Sequence, residues 1–474
     1  MGKKLFWFLV LFIVTLLGVL GFWLISDEYT KLPFSLSKIA QIEPWSVRVG
    51  LRVATVRAKI PTVNRVVIVP DAATFLEAIQ QWSLQGNWPI LIDDKKYTPM
   101  FIKRFQPGEV IRLPATKKPL PTGEKLREIM QNSVAKAWNA TDVISLQKKW
   151  QELGWEPPGV AITWEKDNAW PAAVALAAAR GQPLAFLEGN FGAANDSLNR
   201  EQWGKLQKYV QEVVEKTGYA YDKLGDAIDT VTIVRQMAVK YQSLKLTPED
   251  LAVTDGLARH PNGDRWAVVG WIYGNVDRAV YQAMCAIFLD QQKAFLFDTY
   301  PDSGSWQEYL MNEAASQLES NGISVEFIDG SKGLVINWQN LTPAEWIFDL
   351  IFVNSKGNKG DFNATNGVLT VKDIPELQFP AAIHFIHSWS ATTPDDINTI
   401  AGKWLENGAY IYVGSVHEPY LKAFVPPKIM VKNLLKYTPF LISARHLESP
   451  PWKITTIGDP LMIVAPPRQR ITSK

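Results

Sequence analysis

Residues 381–388 read AAIHFIHS, a run of six residues, apolar but for His384, that stops at a histidine and a serine. Three other segments have the same form: KAFLFD at 293–298, FDLIFVNS at 348–355 and AYIYVGSVH at 409–417. Each is too short for an ordinary helix, is almost continuously apolar, and ends on polar residues. Helical patterns separate several of them. That combination marks strands buried on both faces of a parallel sheet. In open α/β sheets, ligands collect in the crevice beyond the carboxyl ends of the strands. Asp298, Ser355, Lys356, His387, Ser388, His417 and Glu418 are therefore expected around one crevice, with Trp389 and Tyr420 beside it as groove-lining aromatics. Three of the five histidines, His384, His387 and His417, belong to these segments.

Composition narrows the function class. The chain has 474 residues, 47% of them hydrophobic and 20% charged, which suits two or three globular units with large cores. A net charge of +2 with no long Lys/Arg block gives no reason to expect a nucleic-acid partner. The 19 tryptophans are expected mainly in cores. With one cysteine, no intramolecular disulfide can form. Cys285 lies in VDRAVYQAMCAIFLDQ, an amphipathic helical pattern, and is expected in the core. No Gly-x-Gly-x-x-Gly and no Gly-x-x-x-x-Gly-Lys-Ser/Thr motif occurs, so no nucleotide cofactor is expected. His387, His417, Glu418 and Asp298 are metal-ligand types, yet no compact ligand motif joins them, and no metal is expected.

The N-terminus carries Lys3 and Lys4 before an uncharged apolar stretch, Leu5 to Ile25, followed by Ser26, Asp27 and Glu28. Its length matches a helix that crosses a bilayer, and the charge order places the N-terminus in the cytoplasm. The expectation is a single-pass protein anchored in the membrane through residues 5–25, with an extracytoplasmic body. Beyond this signal anchor at 1–26, a connector at 27–64 leads into a first Rossmann-like α/β unit at 65–196. The strand patterns RVVIVP, WPILIDD, EVIRLP, GVAITW and QPLAFLEG alternate there with helices. A mainly helical bridge at 197–263, a second α/β unit at 264–467 and a disordered tail at 468–474 complete the division. The expected fold class is thus α/β: a transmembrane helix, then two open-sheet units with a helical bridge.

The second unit, over about 265–466, carries FLFDTYP, FVNSKGN, HFIHSWSA, ENGAYIYVGS and TTIGDPLMIV in that order. In this series it resembles a divergent caspase-fold domain of the gingipain type. In such peptidases the third element ends in His-Gly and the fourth in the cysteine nucleophile. This chain has Lys356-Gly357 at the first position and Ser388 at the second, with His387 and Ser390 as the neighbouring registers. Thiolate–imidazole chemistry needs an ionisable thiol beside a histidine, and a serine hydroxyl without a strong base replaces neither. The resemblance therefore implies a caspase-like body without its catalytic pair: a binding or scaffolding module of the bacterial cell envelope, with a peptide or an envelope component as ligand. The alternative is an envelope hydrolase with Ser388 as nucleophile and Lys356 or His417 as base. In the first unit, WPILIDD and EVIRLP are similar to strands of cell-wall-binding repeats, without the glycine pair that follows the second strand there.

Overall fold

The computed structural model describes residues 34–472. A small parallel sheet forms first from β1 (Arg65–Val69), β2 (Ile90–Ile92) and β3 (Glu109–Arg112), in the order β2-β1-β3. The main sheet has ten strands. These are β4 (Gly159–Thr163), β5 (Leu184–Phe186), β6 (Thr230–Val234), β7 (Val268–Ile272), β8 (Lys293–Asp298), β9 (Ser324–Ile328), β10 (Leu350–Asn354), β11 (Ala381–Ile386), β12 (Ala409–Ser415) and β13 (Ile454–Ile457). Their order across the sheet is β9-β8-β10-β11-β12-β13-β7-β6-β4-β5.

Direction divides this sheet in two. Strands β9, β8, β10, β11 and β12 run parallel to one another. Strands β13, β7, β6, β4 and β5 also run parallel to one another. The two blocks meet antiparallel at β12 and β13, where Ser415 faces Ile454 and Tyr412 faces Ile457. The carboxyl ends of the two blocks therefore open at opposite edges of the sheet.

Burial on both faces explains the apolar runs that announce these strands. Ala294 and Leu296 of β8 point into one core, while Phe295 and Phe297 point into the other. In β10, Leu350 and Phe352 join the first core, and Ile351 and Val353 the second. This is the period of two of a pleated strand with no solvent face. Helices cover both faces. Helix α1 (Trp45–Lys59) packs Val49 and Val53 on Val268, Leu461 and Ile463. Helix α2 (Trp170–Arg180) is buried at every position. Its alanine-rich sequence, WPAAVALAAAR, is apolar around most of its circumference, as a fully enclosed helix requires. Helix α3 (Arg200–Glu215) covers the other face with Trp203, Leu206, Val210 and Val214. Helix α4 (Val276–Phe288) lies between the main sheet and the small one, where Met284 meets the Ile90 backbone.

Several expectations are corrected. Residues 5–25 lie outside the described residues, and among the described residues no helix is long and apolar enough to cross a membrane. The transmembrane element of the expected fold class, the membrane attachment and the single-pass extracytoplasmic topology are accordingly withdrawn. Two separate open-sheet units with a helical bridge are also replaced. Strands β4 and β5, expected in the first unit, and β6, inside the supposed bridge, belong to the same sheet as the second unit. The TVTIV of β6 is flanked on both sides by parallel partners, which local helix-rich context concealed. The connector contains α1, and Arg470–Ile471 of the expected tail pairs in parallel with Thr62–Val63. The last strand of the main sheet, ITTI at 454–457, ends where Gly458 at φ +119° and Pro460 break the extended run.

Candidate functional site

The carboxyl edge of the first block brings the sequence-designated residues into one row, set by strand order. Asp298 ends β8. Its buried carboxylate accepts hydrogen bonds from the backbone N–H groups of Tyr300 (3.0 Å) and Met311 (2.9 Å). Burial raises it to about 6 against those stabilising bonds. Asp298 thus holds the 299–311 loop, and its oxygens face inward. Ser355, directly after β10, is buried as well, and its hydroxyl donates to the carbonyls of Asn363 (2.8 Å) and Lys356 (3.0 Å). Both residues organise the loops around the crevice.

Lys356 is exposed, and its Nζ lies 4.2 Å from the centre of the Trp306 ring, a cation–π contact. It borders a cavity of about 610 Å³ at the ends of β8, β9 and β10, whose wall also includes Asp302, Asp329, Asn363 and Thr365. Next to Lys356, Gly357 adopts φ +154°, and a Cβ there would stand 2.4 Å from the Asp361 carbonyl and 2.6 Å from His387 Nε2. Only glycine permits that approach.

His387 follows β11 and is 2% exposed. Its Nε2 lies 2.9 Å from the Asp361 carbonyl oxygen, so that nitrogen carries the proton and donates it. Burial pushes the imidazole down to about 4, which leaves it neutral at physiological pH. His384 turns to the opposite face of the strand, against Phe352 and Phe424, and burial pushes it to about 3.

Ser388, Trp389, His417 and Glu418 form a second cluster at the ends of β11 and β12. The Ser388 hydroxyl donates to Glu418 Oε1 at 3.0 Å, and the Trp389 indole donates to Oε2 at 3.0 Å. Trp389, at φ +63°, lays its ring on His417 with centroids 3.9 Å apart. His417 Nδ1 accepts the Glu418 backbone N–H at 2.8 Å. Ser415, which the sequence reading did not single out, is the hub below them. Its hydroxyl contacts the carbonyls of His387 (2.8 Å) and His417 (2.9 Å) and accepts the Trp389 N–H (3.0 Å). Tyr420 stands apart and stacks on Trp452, with centroids 5.8 Å apart.

The chemistry of this arrangement is limited. A serine nucleophile needs a base nitrogen within about 3 Å and free backbone donors for the oxyanion. Here the hydroxyl binds a carboxylate that is itself occupied by an indole. Lys356 contacts Trp306, and His417 turns Nδ1 to its own neighbour. The N–H groups of Trp389 and Glu418 are bonded internally. The structure thus brings Ser388 to Glu418, and leaves Lys356 and His387 with other partners. Among the described residues no group of three or more His, Cys, Asp or Glu side chains is arranged to hold a metal ion. Trp306, Ser415 and Asp361 were missed in sequence. Only Ser415 had a visible signal, since it ends the YVGS run of a strand already marked. No protein-family model matches this chain, and no characterised protein matches it in sequence.

Proposed function

We propose that this protein is a non-catalytic binding module built on a caspase-like body, with the crevice at the carboxyl ends of β8, β9 and β10 as its ligand site. The observation that carries this reading is the Ser388–Glu418 hydrogen bond, which occupies the hydroxyl at the nucleophile position with an acceptor that is not a base nitrogen. The resemblance draws support from topology. In chain order β10 and β11 are the third and fourth strands of the parallel block, they lie side by side, and Lys356-Gly357 and His387-Ser388 follow them. The cavity bordered by Lys356 sets Asp302 and Asp329 against that one cation, so a peptide-like ligand with a basic residue complements it.

The test has two arms. Incubation with a fluorophosphonate probe and with a broad mixture of peptide and ester substrates is expected to give neither labelling nor turnover. An adduct that disappears in Ser388→Ala would overturn the proposal in favour of a serine hydrolase. A fluorescein-labelled hexapeptide containing arginine is expected to bind, and Asp329→Lys to weaken it about tenfold or more, as reversal of a charge at a ligand contact does. Equal binding of the corresponding glutamate peptide would remove the crevice as the site.

A further inference from the structure

Where β12 and β13 meet, the chain leaves the sheet at Ser415 and re-enters it at Ile454 on the same edge. A cavity of about 390 Å³ opens between these two crossings. Tyr420 and Trp452, nearly parallel at 11°, form an aromatic wall, and the exposed Lys422 and His446 stand at the rim. Asp255 and Arg445 line the buried end. This cavity is separate from the crevice at β8 and β10, and the inference does not rest on the function proposed for that crevice.

The buried end has a charge imbalance. Three guanidinium groups surround the single carboxylate of Asp255: Arg445 at 2.6 Å, Arg265 at 2.7 Å and Arg259 at 3.7 Å from Oδ1. The other oxygen accepts the Trp452 backbone N–H at 2.5 Å. All four side chains are 4% exposed or less. Within the described residues, Nε of Arg445, Nε and Nη1 of Arg265 and Nη2 of Arg259 are buried without a hydrogen bond. Burial, aided by the neighbouring guanidinium groups, lowers Arg445 and Arg259 to about 10. Buried cations persist when they are paired and hydrogen-bonded. One carboxylate with both oxygens engaged leaves two positive charges of this set unmatched.

We propose that the cavity binds a small apolar body bearing a carboxylate, its oxyanion drawn to the Arg445 end and its apolar part laid on Trp452 and Tyr420. A carboxylate supplies the missing anion, and guanidinium groups are its strongest side-chain partners. The volume lies near the lower end for ligand sites, which suits one or two residues of a peptide terminus or a short free acid and excludes a long chain. A peptide C-terminus and a branched-chain or aromatic acid share this chemistry.

The test uses the whole chain and fluorescence polarisation with fluorescein-labelled Gly-Gly-Leu as the free acid and as the C-terminal amide. The acid is expected to bind at least tenfold tighter, and more weakly as salt rises. Lys422→Glu and Tyr420→Ala, both at exposed positions, are expected to cut acid binding severalfold with an unchanged melting temperature. Competition by free 4-methylpentanoate as efficient as that by unlabelled peptide would assign the site to small acids, whereas competition by the peptide alone would assign it to a chain terminus. Equal affinity for acid and amide, no binding of either, or full acid binding in both variants would each overturn the proposal.

Discussion

A histidine buried without a counter-charge ties folding to proton uptake. His384 has burial as the cause of its depression to about 3, against the 6.5 of an exposed imidazole. The unfolded chain takes up a proton near pH 6.5 that the folded chain refuses until far lower pH. The corresponding stability is fully present above about 6.5 and is lost progressively as pH falls toward 3. His387, depressed to about 4, acts with the same sign. Asp298, raised to about 6, acts with the opposite sign, because its folded form holds a proton that the unfolded carboxylate has released. Comparison of variant with parent isolates each contribution. His384→Leu is expected to change the urea midpoint little at pH 7.5 and to lose much less stability than the parent between pH 7 and 4. A parallel decline in both proteins would show that His384 is not the coupled group. In the sequence, the strand position of His384 and the place of His387 at the end of the apolar run were legible. The partner of Ser388 was not, because Glu418 reaches it from another strand.

At the scale of elements, one glycine and one helix carry the sharpest expectations. Gly357→Ala would drive a methyl group into the Asp361 carbonyl at 2.4 Å, and the hairpin of residues 361–364 and 367–370 would have to move. A cost of about 1–3 kcal/mol is expected from such overpacking. The His387 imidazole should titrate closer to its ordinary value as its cover loosens. A thermal melt and histidine NMR titration read both, and an unchanged His387 titration would detach the ring from this hairpin. Cys285 sits on α4 with no exposed surface, and burial raises its thiol well above the ordinary range. Ellman's reagent is expected to leave the native protein unlabelled and to react once urea unfolds it; rapid labelling of native protein would place α4 outside the core. The helical pattern of 276–288 foretold this burial directly. The Gly357 constraint had no signal in sequence, since it arises from how the chain folds back at Asp361 and from a histidine 30 residues away.

At the scale of the molecule, the antiparallel seam between β12 and β13 makes one sheet out of segments that read as two units. Arg180 on α2 and Asp459 after β13 reinforce this, forming an ion pair at 3.2 Å with both side chains 2% exposed or less. A fragment of residues 264–472 would lack β4, β5 and β6 and would leave β7, VVGWI, with an unpaired apolar edge. It is expected to aggregate, while residues 34–472 unfold in one transition. A monodisperse, cooperatively folding 264–472 fragment would re-establish two independent units. Removing one partner of the Arg180–Asp459 pair strands a buried charge, so Asp459→Ala is expected to cost about 3–5 kcal/mol in urea unfolding.

The sequence by itself determined that the runs at 293–298, 348–355, 381–388 and 409–417 hold strands, that both faces of those strands are buried, and which polar residues stand at their carboxyl ends. Apolar runs, periodicity and the residues that stop them are local properties, and burial on both faces writes itself into them. Only the tertiary structure decided that the two blocks run in opposite directions within one sheet, that Ser388 meets Glu418 and Lys356 meets Trp306, and that three arginines share Asp255. Strand order and direction are set by contacts between residues tens to hundreds of positions apart, and a local pattern carries no record of which distant partner completes it.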